Sequence, residues 1–268
     1  MRIASVGHAV FAATLIAIGI LGLVKGDFAG IWQPVQKVVP ARDVLVYACG
    51  GVSLASGIGL LWQPSAARAA RLLLAWLVIW FLFFKLSIIL RAPTVPVSWE
   101  SAGESVVIIA AAWILYARLA VDWDRRYLAF ASGPKGLRIA RTLYGLALVA
   151  FGIAHFAYLK MTAPLVPAWL PAHEAWAYLT GATYVAAGVA VIVGVLARLA
   201  AALAAVQMGL FTLLVWVPVV IAGPDAGQWA EFVVSCALTA SAWVIADSYR
   251  DGPARGAADQ SSSVSAVG

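Results

Sequence analysis

Charge is what this sequence has least of. Asp, Glu, Lys and Arg make up 11% of its 268 residues, against roughly 25% in an ordinary soluble domain. Apolar residues make up 63%, and the mean hydropathy is +0.93. A soluble chain needs polar side chains to cover its core, so the composition excludes a soluble globular enzyme, a disordered protein and a nucleic-acid binder. Cysteine is nearly absent too. Cys49 and Cys236 are the only two and form no CxxC, which argues against a dithiol centre of the thioredoxin type. The three histidines, His8, His155 and His173, are too few and too scattered for haem or a metal cluster, and no Cys/His spacing suggests zinc. No glycine-rich phosphate loop follows a strand, and no Ser/His/Asp arrangement is visible in the outward connections.

What is there is long apolar runs. A membrane-crossing helix needs about 20 mostly apolar residues. Eight such runs lie near 8–25, 42–62, 69–90, 102–120, 138–157, 175–196, 198–221 and 229–247. They are continuous and rich in Ala, Leu and Val, without the alternation of barrel strands. Twelve of the eighteen Lys and Arg residues fall on the side that holds both termini, among them Arg68, Arg71, Arg118, Arg141 and Arg250. The basic side is the cytoplasmic one, so both ends are expected in the cytoplasm. Trp32, Trp62, Trp99, Trp123, Trp169 and Trp229 fall at run boundaries, where an aromatic belt belongs. Residues 249–268 are small and polar and read as a disordered cytoplasmic tail, with no lipidation motif.

The chain repeats itself. PARDVLVYACGGVSLASG at 40–57 aligns with PAHEAWAYLTGATYVAAG at 171–188, an offset of 131 that superposes Pro40/Pro171, Tyr47/Tyr178, Gly50/Gly181 and Gly57/Gly188. Asp43 and Glu174 keep an acid at the positive end of a helix dipole, and small residues follow at a spacing that lets helices approach closely. Gly19-Ile20 corresponds to Gly152-Ile153, and Trp99-Glu100 with Glu104 to Trp229 with Glu231. The first run has its counterpart in the fifth, so it is read as a retained helix rather than a cleaved signal. An even number of helices per repeat makes the repeats parallel, not inverted. The expected fold is all-α, eight transmembrane helices arranged as two parallel-repeat four-helix bundles. The units are 1–122, a cytoplasmic linker 123–137, 138–248, and the tail 249–268.

The second half carries Gly152-Ile153-Ala154-His155-Phe156, then a loop from Lys160 through Pro167-Ala168-Trp169-Leu170-Pro171, then Tyr178, Gly181 and Gly188, and ends in Trp229 and Glu231. This resembles the DoxX-like family of small four-helix bacterial membrane proteins over about 141–245, and more faintly over 10–118. The first half departs from the pattern, with Gly22 in the place of His155. Relatives include a subunit of a thiosulfate:quinone oxidoreductase and membrane components tied to thiol redox or oxidative-stress systems. The resemblance implies a bacterial inner-membrane protein, a quinone- or redox-linked membrane subunit, with quinone as a cofactor and a redox protein as a partner.

Site residues follow from chemistry and place. His155, Tyr158, Trp169 and Glu231 are the expected ligand-binding group near the outer face of the second half. Imidazole titrates near neutrality and bonds a quinone oxygen readily, although a histidine at a helix end also bonds a neighbouring carbonyl. Glu231, and Glu104 in the first half, read either as costly intramembrane carboxylates or as helix caps. Lys85 is the only charge well inside a run. It is expected to snorkel outward, and if it faces the bundle its partner is Glu104. Gln207 reads as a polar helix-packing residue. Cys49 and Cys236 read as small buried residues. Two other functions fit the composition: a small-molecule permease or efflux protein, which needs a polar path through the midplane, and a non-catalytic scaffold or assembly factor.

Overall fold

The computed structural model describes residues 5–250. Eight of its helices are long and apolar enough to cross a membrane: α1 (Val6–Lys25), α2 (Arg42–Leu61), α3 (Gln63–Arg91), α4 (Pro96–Leu119), α5 (Gly133–Ala157), α6 (His173–Val193), α7 (Ala197–Ile221) and α8 (Ala226–Ser248). No strand occurs among the described residues. This is a multi-pass helical membrane protein. Large apolar side chains such as Leu82, Phe83, Leu203 and Leu210 lie on its exterior, where a bilayer rather than water is the suitable surrounding.

Helices α3, α4 and α8 begin earlier than the apolar runs suggest. Pro64 and Pro96 occupy first turns, where the missing N–H has no intrahelical partner to lose. Polar residues there hide the helix start from a hydropathy reading. In α8 the start is fixed by a capping box: Asp225 accepts from the Gln228 N–H at 2.8 Å, and the Asp225 N–H donates to the Gln228 side chain at 3.1 Å. Glu231 is therefore not the cap of α8. Glu104, two turns inside α4, caps nothing either.

Successive helices pack side by side from α1 to α8. Helix α4 touches α3, α5 and α8, while α8 also touches α1 and α7. In α4, 67% of the apolar window is buried, against 22% in α3, which puts α4 at the centre. Contacts between the sequence halves, α4 with α5, α4 with α8 and α1 with α8, are as much a part of the core as those within them.

Positions 131 residues apart, and Gly19 and Gly152 at a separation of 133, share local structure. Ala41 (φ 53°) and Ala172 (φ 56°) both adopt the left-handed conformation at the N-caps of α2 and α6, uncommon for a residue with a side chain. Phe81–Lys85 and Thr212–Trp216 each form a single π-helical turn. A Cβ on Gly19 would come within 2.8 Å of the Gly50 carbonyl oxygen, and one on Gly152 within 2.5 Å of the Gly181 carbonyl oxygen. Only glycine allows α1 to meet α2, and α5 to meet α6, this closely.

The face that holds Ser5 and Arg250 is closed by arginines. Arg118 donates to the Ser248 carbonyl at 3.1 Å, and Arg141 donates to the Ser248 hydroxyl at 3.0 Å and to the Ser248 carbonyl. These bonds satisfy carbonyls that the end of α8 leaves free. Tyr249, expected in the tail, packs instead under the Arg141 guanidinium, 3.9 Å from its ring centre. The remainder of the expected tail, 251–268, lies outside the described residues. The connection between α4 and α5, which includes the expected linker 123–137, is ordered by polar contacts. It contains a short helix, Asp122–Tyr127, held by a fully buried carboxylate. Asp124 bonds Arg71 at 2.9 Å, the Tyr116 hydroxyl at 3.1 Å and the Val121 N–H at 3.1 Å.

Candidate functional site

A groove of about 620 Å³ opens between α6 and α7, with His155 of α5 at one end. The loop after α5, a short helix Leu159–Thr162 and a 3-10 turn Ala163–Leu165, folds over that end and contributes Val166, Pro167 and Leu170 to the lining. The walls run along α6 from Trp176 to Ala190, about 20 Å at 1.5 Å per residue. Small side chains, Ala186, Ala187, Ala190, Ala200 and Ala204, leave the space between the helices unfilled. Polar lining atoms are few and come from His155, Thr162, Thr180, Thr183 and Gln207. A long apolar trough with a few placed polar groups suits an amphiphile.

His155 is held in one orientation. Its Nδ1 lies 2.8 Å from the Phe151 carbonyl oxygen one turn back. Its ring stands 5.6 Å from the ring of buried Tyr184, and the adjacent Gly181 leaves room for its Cβ. Gln207 joins α7 to α6: its amide donates to the Thr180 carbonyl at 3.2 Å, and its carbonyl oxygen accepts from the Thr183 hydroxyl at 2.7 Å. The expected packing role of Gln207 is what the structure has, and the same side chain also lines the groove. Thr180, Thr183 and Tyr184 were not singled out from the sequence. Their one signal is a polar pair three residues apart on the α6 face that meets Gln207.

The other expected ligand residues are not gathered at the groove. The Tyr158 hydroxyl accepts from the Val97 N–H at 3.3 Å, tying the end of α5 to the start of α4. Trp169 lies exposed on the loop surface. Glu231 belongs to a second polar group near the same face. There Lys85 is buried to 3% exposure, and its Nζ donates to the Ser101 hydroxyl at 3.0 Å. It interacts electrostatically with Glu104 and Glu231, and Glu104 also with Glu100. The expectation that Lys85 snorkels outward is thus corrected: the π-turn widens α3 at Lys85 and swings the side chain toward α4 instead of lipid. Glu104 is an electrostatic neighbour, and Ser101 is the hydrogen-bond acceptor the sequence reading did not name.

Among the described residues, aromatic side chains occupy the corresponding place in the first half. Trp76 stands 131 residues before Gln207, and Trp80 the same distance before Phe211. Trp32 inserts from its loop, fully buried, with its indole donating to Ser53 at 3.3 Å and its ring 5.4 Å from Trp80. The Phe84 ring lies 4.2 Å from that of Trp80. Beside Trp76, Trp80 and Phe84 lies a smaller apolar cavity of about 230 Å³. The aromatic side chains fill in the first half what alanines and Gln207 leave open in the second.

Among the described residues no three His, Cys, Asp or Glu side chains are placed to hold a metal ion, and Cys49 and Cys236 are both free thiols. Fold and site together define a multi-pass helical membrane protein with a groove between two of its spans. Residues 144–248 match the model of a domain of unknown function, DUF8561, and this stretch contains α6, α7 and α8 and therefore nearly the whole groove. No curated protein and no solved structure matches the chain.

Proposed function

We propose that this protein is a DoxX-like membrane protein whose second half binds a lipid-soluble ring compound of the quinone class in the α6–α7 groove, and that it serves a redox-linked system as a membrane subunit. The observation that carries the reading is the groove itself, apolar along some 20 Å and headed by His155. A quinone is a polar ring on an apolar tail, and the trough offers a polar end and a tail channel in that order. The matching left-handed caps and π-turns support a tandem origin, with the first copy plugged by Trp32, Trp76 and Trp80 and kept as scaffold. The concentration of Lys and Arg on the face of the termini supports a bacterial inner-membrane location with both ends in the cytoplasm.

Transport fits less well. The Lys85 group sits between α3, α4 and α8, while Gln207 sits between α6 and α7, so the intramembrane polar groups do not line one path. The test is mass spectrometry of what copurifies in native nanodiscs, wild type against His155→Ala. A stoichiometric compound of the quinone class, in its oxidised or its quinol form, is expected in the wild type, and less of it in the variant. A wild-type preparation free of both forms, which also fails to take up added short-chain quinone or quinol, overturns the reading.

A further inference from the structure

His155 offers more than a place. A backbone carbonyl oxygen can only accept, so the 2.8 Å contact with Phe151 requires the proton of the neutral ring to sit on Nδ1. That leaves Nε2 as a bare acceptor. No hydrogen-bond partner for Nε2 occurs among the described residues, and the ring lines the groove. Its orientation is fixed from two further sides, by the Tyr184 ring at 5.6 Å and by the close backbone of Gly181. An acceptor on a ring that lines an apolar trough discriminates between partners. A hydroxyl satisfies it, whereas a carbonyl or an ether oxygen would set two lone-pair atoms against each other and leave a buried polar group unpaired, which costs more than a hydrogen bond gains.

We infer that the groove selects an occupant whose polar head is a hydroxyl donor, a quinol or phenol rather than a quinone, with its O–H bonded to Nε2 of His155 and its tail running between α6 and α7 toward Leu196. The inference rests on the proposed groove reading and adds to it the chemical form of the ligand. Gln207 is the less available group, because its amide donates to the Thr180 carbonyl, its carbonyl oxygen accepts from Thr183, and Tyr184 is a further hydrogen-bond neighbour. The tail direction follows from the lining: His155 and the covering loop sit at one end, and Leu196, Leu199 and Ala190 at the other.

The test uses the full chain in nanodiscs under anaerobic conditions at pH 8, with quenching of the tryptophan fluorescence contributed by Trp176 of the groove wall. The probes are a short-chain prenyl benzoquinone, the corresponding quinol and the dimethyl ether of that quinol. The quinol is expected to bind about tenfold more tightly than the other two, the value of one satisfied hydrogen bond of about 1.4 kcal/mol. His155→Ala and His155→Phe, the second of which keeps an aromatic ring against Tyr184, are each expected to bring the three affinities together. Equal wild-type affinities, or a preference for the quinone, overturn the inference while leaving the groove reading in place. Failure of all three probes to bind overturns the groove reading itself, and the inference with it.

Discussion

The ammonium of Lys85 stands 3.0 Å from the hydroxyl of Ser101, a single bond that fastens the π-turn of α3 to the second turn of α4. It sets a positive charge inside a helix bundle that also brings Glu104 and Glu231 within its electrostatic reach. A buried charge survives in such a place only if it is paired and hydrogen-bonded.

Lys85→Met is expected to destabilise the protein by about 1–3 kcal/mol, the cost of leaving its buried polar neighbours, Ser101 by hydrogen bond and Glu104 and Glu231 by charge, without their partner. Adding Glu104→Gln to that variant is expected to restore at least half of the loss, because it removes a carboxylate left without its cation. Unfolding in mixed detergent micelles measures both. An unchanged midpoint for Lys85→Met would show that the charge contributes nothing to the packing.

Asp124 gives a pH dependence at the opposite end of α4. Burial pushes its carboxyl up, but the bonds from Arg71, the Val121 N–H and Tyr116, with the charge of Arg71, outweigh burial and hold it below the usual carboxylate range. A carboxyl with a lowered folded-state pKa adds stability that is present above the unfolded value, about 3.9. That stability is lost as pH falls through the folded value. Thermal unfolding in detergent should therefore show the wild type weakening below about pH 4. Asp124→Asn should cost about 2–3 kcal/mol at neutral pH and should lack this part of the acid dependence. Parallel acid profiles for the two proteins would refute the assignment.

Close helix approach at Gly152 makes a steric prediction. A Cβ there lies 2.5 Å from the Gly181 carbonyl oxygen and 3.0 Å from the Val185 nitrogen, both backbone atoms that cannot rotate away. Gly152→Ala is expected to cost about 2–3 kcal/mol through forced separation of α5 and α6. Gly51→Ala is the control, since nothing lies within 4 Å of its Cβ and alanine favours a helix by about 1 kcal/mol. It should be neutral or stabilising in the same unfolding assay.

Gln207→Trp tests whether the two halves differ by the filling of one space. Trp76 occupies the corresponding position and lines the smaller apolar cavity in the first half. The variant is expected to fold, to lose about 1 kcal/mol from the missing α6–α7 hydrogen bonds, and to bind the quinol probe at least tenfold more weakly. Unimpaired binding by a folded variant would place the ligand elsewhere.

Much of this protein could be read from its sequence, because a bilayer imposes a strong rule on the chain. Every backbone polar group must be satisfied within its own segment, so eight apolar runs dictated eight helices, and the position of each was evident to within a turn or two. Glycines at 19, 50, 152 and 181 carried the tight α1–α2 and α5–α6 pairs for the same local reason. Tertiary structure decided what depended on the direction of a side chain and on neighbours remote in sequence. Lys85 turned inward because a π-turn shifted its phase, which no periodicity in FLFFK announces. Glu231 left the His155 group for the Lys85 group because α8 packs on α4. The groove is open because alanines on α6 and α7 face each other around Gln207, and closed in the first half because Trp32 arrives from a loop. Apolar length specifies a span by itself, but a cavity is what several spans fail to fill together, and that shortfall exists only once they are packed.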